Sequence, residues 1–166
     1  MTQLETSLAD NHAAVEEFMA TARSLDARQW STPRAEGAWS PGQVVQHVTI
    51  VYEYSRDVAR GAPSGGSLPG FLRPLLRRFA VDPALKAGQF TRKGRSPGFL
   101  QPAATSAPQA EAIPRLEKAL REFEDAIRAS NGADVNHPFF GRMTAANYLR
   151  FQAIHTRHHR RQLTST

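Results

Sequence analysis

Glycine and proline divide this chain into a few stretches that can be regular and one that cannot. Between Gly61 and Pro102 the breakers recur at Pro63, Gly65, Gly66, Pro69, Gly70, Pro74, Pro83, Gly88, Gly94, Pro97 and Gly98, so no long periodic element fits there. Elsewhere they cluster at boundaries, and the segments between them carry apolar residues at three- and four-residue steps. That pattern demands helices which bury one face.

Residues 2 to 26 read as the first helix, with Leu4, Leu8, Val15, Phe18, Met19, Ala22 and Leu25 on one stripe. His12 falls near that stripe and reads as a surface or partly buried histidine. Trp30 to Trp39 is a connector broken by Pro33 and Gly37. The second helix opens at Ser40 as N-cap, with Pro41 in the first position and Gln43 completing a capping box. It runs to about Arg60 and stops at Gly61. Val44, Val45, Val48, Val51, Tyr52, Ser55 and Val58 form its apolar face, and His47 lies on it. The third helix spans about 108 to 130, with Ser106 available as its cap and Ile113, Leu116, Leu120, Phe123 and Ile127 as its seam. Pro114 is tolerable close to the first turn, where amides lack partners anyway. Asn131-Gly132 ends the helix. Asn136 to Gly141 is an aromatic turn in which His137, preceding a proline, is extended and holds the loop. Thr144 caps the last helix. Four amphipathic helices without a convincing strand predict an all-α bundle, a single domain over residues 1–166.

The breaker-rich stretch, residues 61–106, is too long to be an ordinary connection, so it serves a function or wraps the core. Phe71 to Phe79 reads as a short basic amphipathic helix. Phe71, Leu72, Leu75, Leu76, Phe79, Phe90, Phe99 and Leu100 predict partial docking of the segment.

Composition removes several classes. The chain has 166 residues, and none of its apolar runs approaches the ~20 residues that span a bilayer. Its N-terminus has no basic segment followed by an apolar one, so no signal peptide is expected. There is no cysteine, which fits a cytoplasmic location and leaves only nitrogen and oxygen ligands for a metal. Such a donor set suits zinc, nickel, iron or manganese. Net charge is +6 and the pI about 10.5. The basic residues, Arg73, Arg77, Arg78, Lys86, Arg92, Lys93 and Arg95 in one segment and Arg157, Arg160 and Arg161 in another, are scattered. No recognition helix or RNA-binding motif accompanies them, which disfavours nucleic acid and favours a solvated surface.

The last helix carries the clearest chemistry. His155 and His159 stand four residues apart and share one face, a spacing at which two imidazoles can grip one ion. Tyr148, Phe151 and Gln152 lie on or beside that face and turn the pair inward. His158 offers a rival pairing with His155. The four-residue step aligns better, and His158 sits nearer the arginine-rich side. His47, taken alone, is either a core histidine with one satisfied nitrogen or a ligand.

Two segments resemble DinB-like proteins. One is Trp39-Ser40-Pro41-Gly42-Gln43-Val44-Val45-Gln46-His47-Val48. The other is His137-Pro138-Phe139-Phe140-Gly141-Arg142-Met143-Thr144 with Leu149, Phe151, His155, Thr156, His159 and Gln162. The resemblance implies a four-helix bundle with a long crossover between helices 2 and 3, here residues 61–106. It implies a divalent metal on His47, His155 and His159. Three histidines with open positions suit a reactive site better than a closed one. The reaction it implies is that of a hydrolase or of a transferase or isomerase using a low-molecular-weight thiol, on a small-molecule substrate. Gln43, Gln46, Tyr52, Tyr148 and Gln152 are then candidate contacts around the metal or substrate. The fourth helix holds no Asp or Glu, so a carboxylate base would have to be Glu53 or Asp57. The alternative is a non-catalytic helical module that binds a partner or forms a homodimer, with a structural or vestigial metal.

Overall fold

The computed structural model describes residues 2–63, 65–90, 94 and 96–164. Arg92, Lys93 and Arg95 of the basic segment lie outside the described residues. Helix α1 spans Gln3–Arg23, α2 Ala27–Ser31, α3 Pro41–Ala59, α4 Arg73–Leu76, α5 Asp82–Ala87, α6 Gln109–Ala129 and α7 Ala145–Thr164. Strands β1, Val135–His137, and β2, Gly141–Met143, form an antiparallel hairpin. The chain is thus all-α, with α1, α3, α6 and α7 as the long helices of a bundle.

Local chemistry explains the helix starts. Thr2, Asp26 and Ser40 each close a capping box, with Glu5, Gln29 and Gln43 as the third residues. Thr144 Oγ1 accepts from the Asn147 amide and starts α7. Asn131 and Gly132 both turn left-handed, with φ of 51° and 77°, and release the chain from α6. Ser106 does not cap α6. It lies over Gly42 instead, and the Ala107 carbonyl beside it accepts the indole N–H of Trp30.

Two short elements depart from the expectation. The connector after α1 contains α2, which the Asp26 box stabilises and which buries Trp30. The aromatic turn is a hairpin of two three-residue strands, pairing Val135 with Met143 and His137 with Gly141. Strands so short leave no alternation to detect.

In the bundle, α1 packs along α7 and α3 along α6, and the contacts of α1 with α6 and α3 with α7 are thinner. Phe18, Met19, Tyr52, Leu116, Leu120, Phe123, Ile127, Tyr148 and Leu149 fill the interior. Helices α3 and α7 run antiparallel, with Ser55 opposite Gln152, Tyr52 opposite Thr156 and His47 opposite His155 and His159. Tyr52 ties three helices together. Its hydroxyl donates to Asn11 Oδ1 on α1 at 2.7 Å and lies 3.0 Å from Thr156 Oγ1 on α7.

Residues 61–106 cross over the open side of the α3–α7 contact. Their helix runs beyond Phe79. A 3₁₀ turn at Gly70–Leu72 leads into α4, a π-helical turn at Arg77–Val81 and then α5, which ends at the left-handed Gly88. The wide turn directly precedes Pro83, whose ring would crowd the carbonyl of Phe79 in a regular helix. Leu85, Phe90 and Leu100 dock on the core. Phe71, Leu75 and Phe79 stay at least half exposed, so docking covers only part of the segment. Among the described residues, no helix is long and apolar enough to cross a membrane.

Candidate metal centre

The thin α3–α7 contact leaves room for side chains between the helices. His47 enters from the first half of α3, with the Trp39 ring against it at 4.9 Å between centroids. His155 and His159 enter from α7, one turn apart. The ligand-capable nitrogens of these three residues lie within 4.8 Å of one another. The Nε2 atom of His155 is 3.4 Å from that of His47 and 3.1 Å from that of His159. Two nitrogens at about 2.1 Å from one tetrahedral ion lie roughly 3.4 Å apart, so the spacing suits coordination.

Hydrogen bonding fixes which nitrogens are free. His47 Nδ1 lies 2.7 Å from the Leu100 carbonyl, which only accepts, so Nδ1 carries the proton. His159 Nδ1 donates to Gln162 Oε1 at 2.8 Å, while the amide of Gln162 faces His158 Nε2. Both Nε2 atoms therefore present lone pairs to His155 Nε2. A neutral His155 can donate one proton to at most one of them, and its buried Nδ1 has no hydrogen-bond partner. Three lone pairs directed at one point repel unless a cation or proton sits among them. The donor set thus fits a divalent ion held by nitrogen.

Protonation does not fill that role near neutrality. Burial lowers the pKa of His47, against the bond from Leu100. Burial also lowers His155 well below the usual histidine range, with the neighbouring imidazoles adding to it. His159 is held at about 3, by burial first and His47 second. All three are neutral at pH 7, the form that binds metal.

Beside the triad is a cavity of about 980 Å³. Val44, Val51, Tyr54 and Ser55 of α3, Phe151 and Gln152 of α7, His137, Phe139 and Phe140 of the hairpin, and Leu76, Phe79, Phe90 and Leu100 of the crossover line it. Phe90 packs edge-on against Phe151, His155 and His158.

The structure sorts the remaining sequence candidates. His158 lines the cavity but stands outside the triad, against Phe90. His12 is half exposed and meets Glu124 on α6. Gln152 lines the cavity and donates to Ser55 Oγ at 3.0 Å. Gln43 instead binds the Ala103 and Ala104 carbonyls of the crossover. Gln46, Tyr52 and Tyr148 do not line the cavity. Glu53 pairs with Arg115 and Asp57 with Arg56, so neither supplies a base, and no Asp or Glu lines the cavity among the described residues. Tyr54 and the Leu100 carbonyl escaped the sequence reading. Tyr54 follows His47 by seven residues, two helical turns, and that spacing was the available signal. The carbonyl leaves none.

A family model described as "Protein of unknown function (DUF1569)" matches residues 5–166. No curated protein and no solved structure matches the chain.

Proposed function

The chain belongs to the DUF1569 family, whose description names no activity, and from its geometry we propose a metal-dependent enzyme acting on a small molecule. His47, His155 and His159 are its metal ligands. The observation that carries this reading is the enforced tautomer at two of the three histidines, which turns their Nε2 lone pairs toward a common point. The likeness of residues 39–48 and 137–163 to DinB-like proteins supports it.

A divalent ion held by His47, His155 and His159 would supply a Lewis acid and would lower the pKa of a thiol bound to it, so that the proton could pass to solvent. The chain's own groups do the rest. Leu100 and Gln162 hold the imidazole rings in their binding tautomers. Trp39 packs against the ring of His47 and Phe90 against that of His155. Among the described residues, no carboxylate that could take a proton from attacking water lines the cavity. Hydrolysis would then rely on the ion alone to activate water, as transfer would rely on it to activate the thiol.

Elemental analysis of protein purified without chelator tests the site. About one divalent ion per chain is expected, and a loss to background in His155→Ala. Substoichiometric metal even after incubation with zinc, nickel, iron and manganese salts would end this reading. With the loaded protein, consumption of a low-molecular-weight thiol by an added electrophile, absent from the chelated protein, supports transfer. Metal-dependent ester cleavage without thiol would support hydrolysis instead.

A further inference from the structure

His137 adds a recognition element to the cavity. Its Nδ1 accepts the backbone N–H of Phe139 at 3.1 Å, so the neutral ring carries its proton on Nε2. The residue is only 5 % exposed, yet it lines the cavity, and none of its hydrogen bonds engages Nε2. Nε2 is also not among the atoms sealed from contact. Among the described residues that N–H is thus left without a partner on a side chain that lines the chamber. It lies beside Tyr54, at 5.9 Å between ring centroids. Seven residues separate Tyr54 from His47, so this end lies roughly 10 Å along α3 from the triad.

The walls between the two ends are largely apolar, with Val51, Phe90, Phe140 and Phe151, and the polar pair on them, Ser55 and Gln152, is joined to itself by a hydrogen bond. No carboxylate lines them among the described residues. Arg34 belongs to the opposite end, where it bonds the Leu163 carbonyl one turn beyond His159. A cation would enter this chamber without a counter-charge, which is costly, whereas an apolar body gains by burial. The volume of about 980 Å³ matches pockets for small organic ligands.

We propose that the cavity takes a largely apolar molecule without positive charge that carries a carbonyl-type acceptor, which receives the Nε2–H of His137 while the molecule's other end lies at the triad. The inference deepens the enzymatic reading and depends on it only for which end reacts. His137 is a specificity residue, remote from the metal.

Three naphthalene probes test it, measured by equilibrium dialysis on the full chain as purified and again after chelation. 2-Acetylnaphthalene should bind about tenfold more tightly than 2-ethylnaphthalene, the effect of one good hydrogen bond. 2-(Naphthalen-2-yl)ethylammonium should bind at least tenfold more weakly than the ketone. His137→Asn places an oxygen where Nδ1 was and keeps the turn, but removes the Nε2–H, so the ketone's advantage should vanish. His137→Gln returns a donor near the Nε2 position and should restore part of it. Equal affinity of ketone and hydrocarbon for the wild type, or no binding of either, overturns the proposal whether or not any variant folds. Because the probes are read with and without metal, a protein that binds the ketone but no ion defeats only the enzymatic reading.

Discussion

Gln162 is the side chain through which a ligand's tautomer can be tested directly. It accepts the Nδ1–H of His159, and such outer partners commonly contribute 10–100-fold to metal affinity. Gln162→Leu should weaken metal binding by about that factor in a chelator competition, with the helix content unchanged. An unaltered affinity would show that the tautomer is set elsewhere. His137 provides a pH prediction. Burial, with a smaller contribution from Arg73, holds its pKa at about 4 in the folded chain, against about 6.5 unfolded. The unfolded chain therefore binds the extra proton first. Stability is intact above pH 6.5 and falls as pH drops toward 4, by roughly 3 kcal/mol from this group alone. His159 acts in the same direction to lower pH. Melting temperature of the chelated protein should decline steadily from pH 7 to pH 4, and a flat profile would mean these rings are not buried neutral. At this scale the sequence was informative about the three histidines that come together and blind to their supports. The pair at 155 and 159 follows from helical spacing. His47 entered through a motif, because nothing local says that α3 faces α7. The carbonyl of Leu100 and the free face of His137 depend on where distant backbone passes.

Among elements, helix ends were the most legible, because caps are local chemistry: Thr144, Ser40 with Gln43, and Asn131-Gly132 sit where their residue types require. What failed, besides Ser106 as the cap of α6, was extent in the short pieces. Five residues of α2 and three-residue strands fall below any period, and the crossover helix continues to Ala87 through a π turn that no propensity signals. The junction of α3 with the returning crossover is tight at one point. A Cβ added at Gly42 would come within 2.4 Å of Ser106 Oγ and 2.6 Å of Trp30 Nε1. Gly42→Ala should therefore cost about 1–3 kcal/mol in urea unfolding and lift residues 100–107 from α3, seen as a change in Trp30 emission. Full stability with an unchanged spectrum would contradict that packing.

The whole molecule is held by a polar knot as well as by its apolar interior. Tyr52 links α1, α3 and α7 through Asn11 and Thr156, all three fully buried. Removing the hydroxyl strands two buried partners, so Tyr52→Phe should destabilise the fold by about 1–3 kcal/mol, lowering the melting temperature while leaving metal stoichiometry intact. A neutral effect would show that the knot is dispensable. All-α architecture was readable from four apolar stripes. The order in which helices neighbour one another was not, since amphipathic faces carry no addresses. The crossover's role follows from that order, because it roofs the gap between α3 and α7.

One detail of that roof bears on how such chains can diverge. His47 is steadied by a peptide oxygen at position 100, and every amino acid has one. Replacing Leu100 leaves the anchor available, whereas adding or deleting a residue between 96 and 104 moves the oxygen off the ring. Drift in letters is tolerated there and drift in length is not, so loop length is the property through which evolution or an engineer would retune the triad.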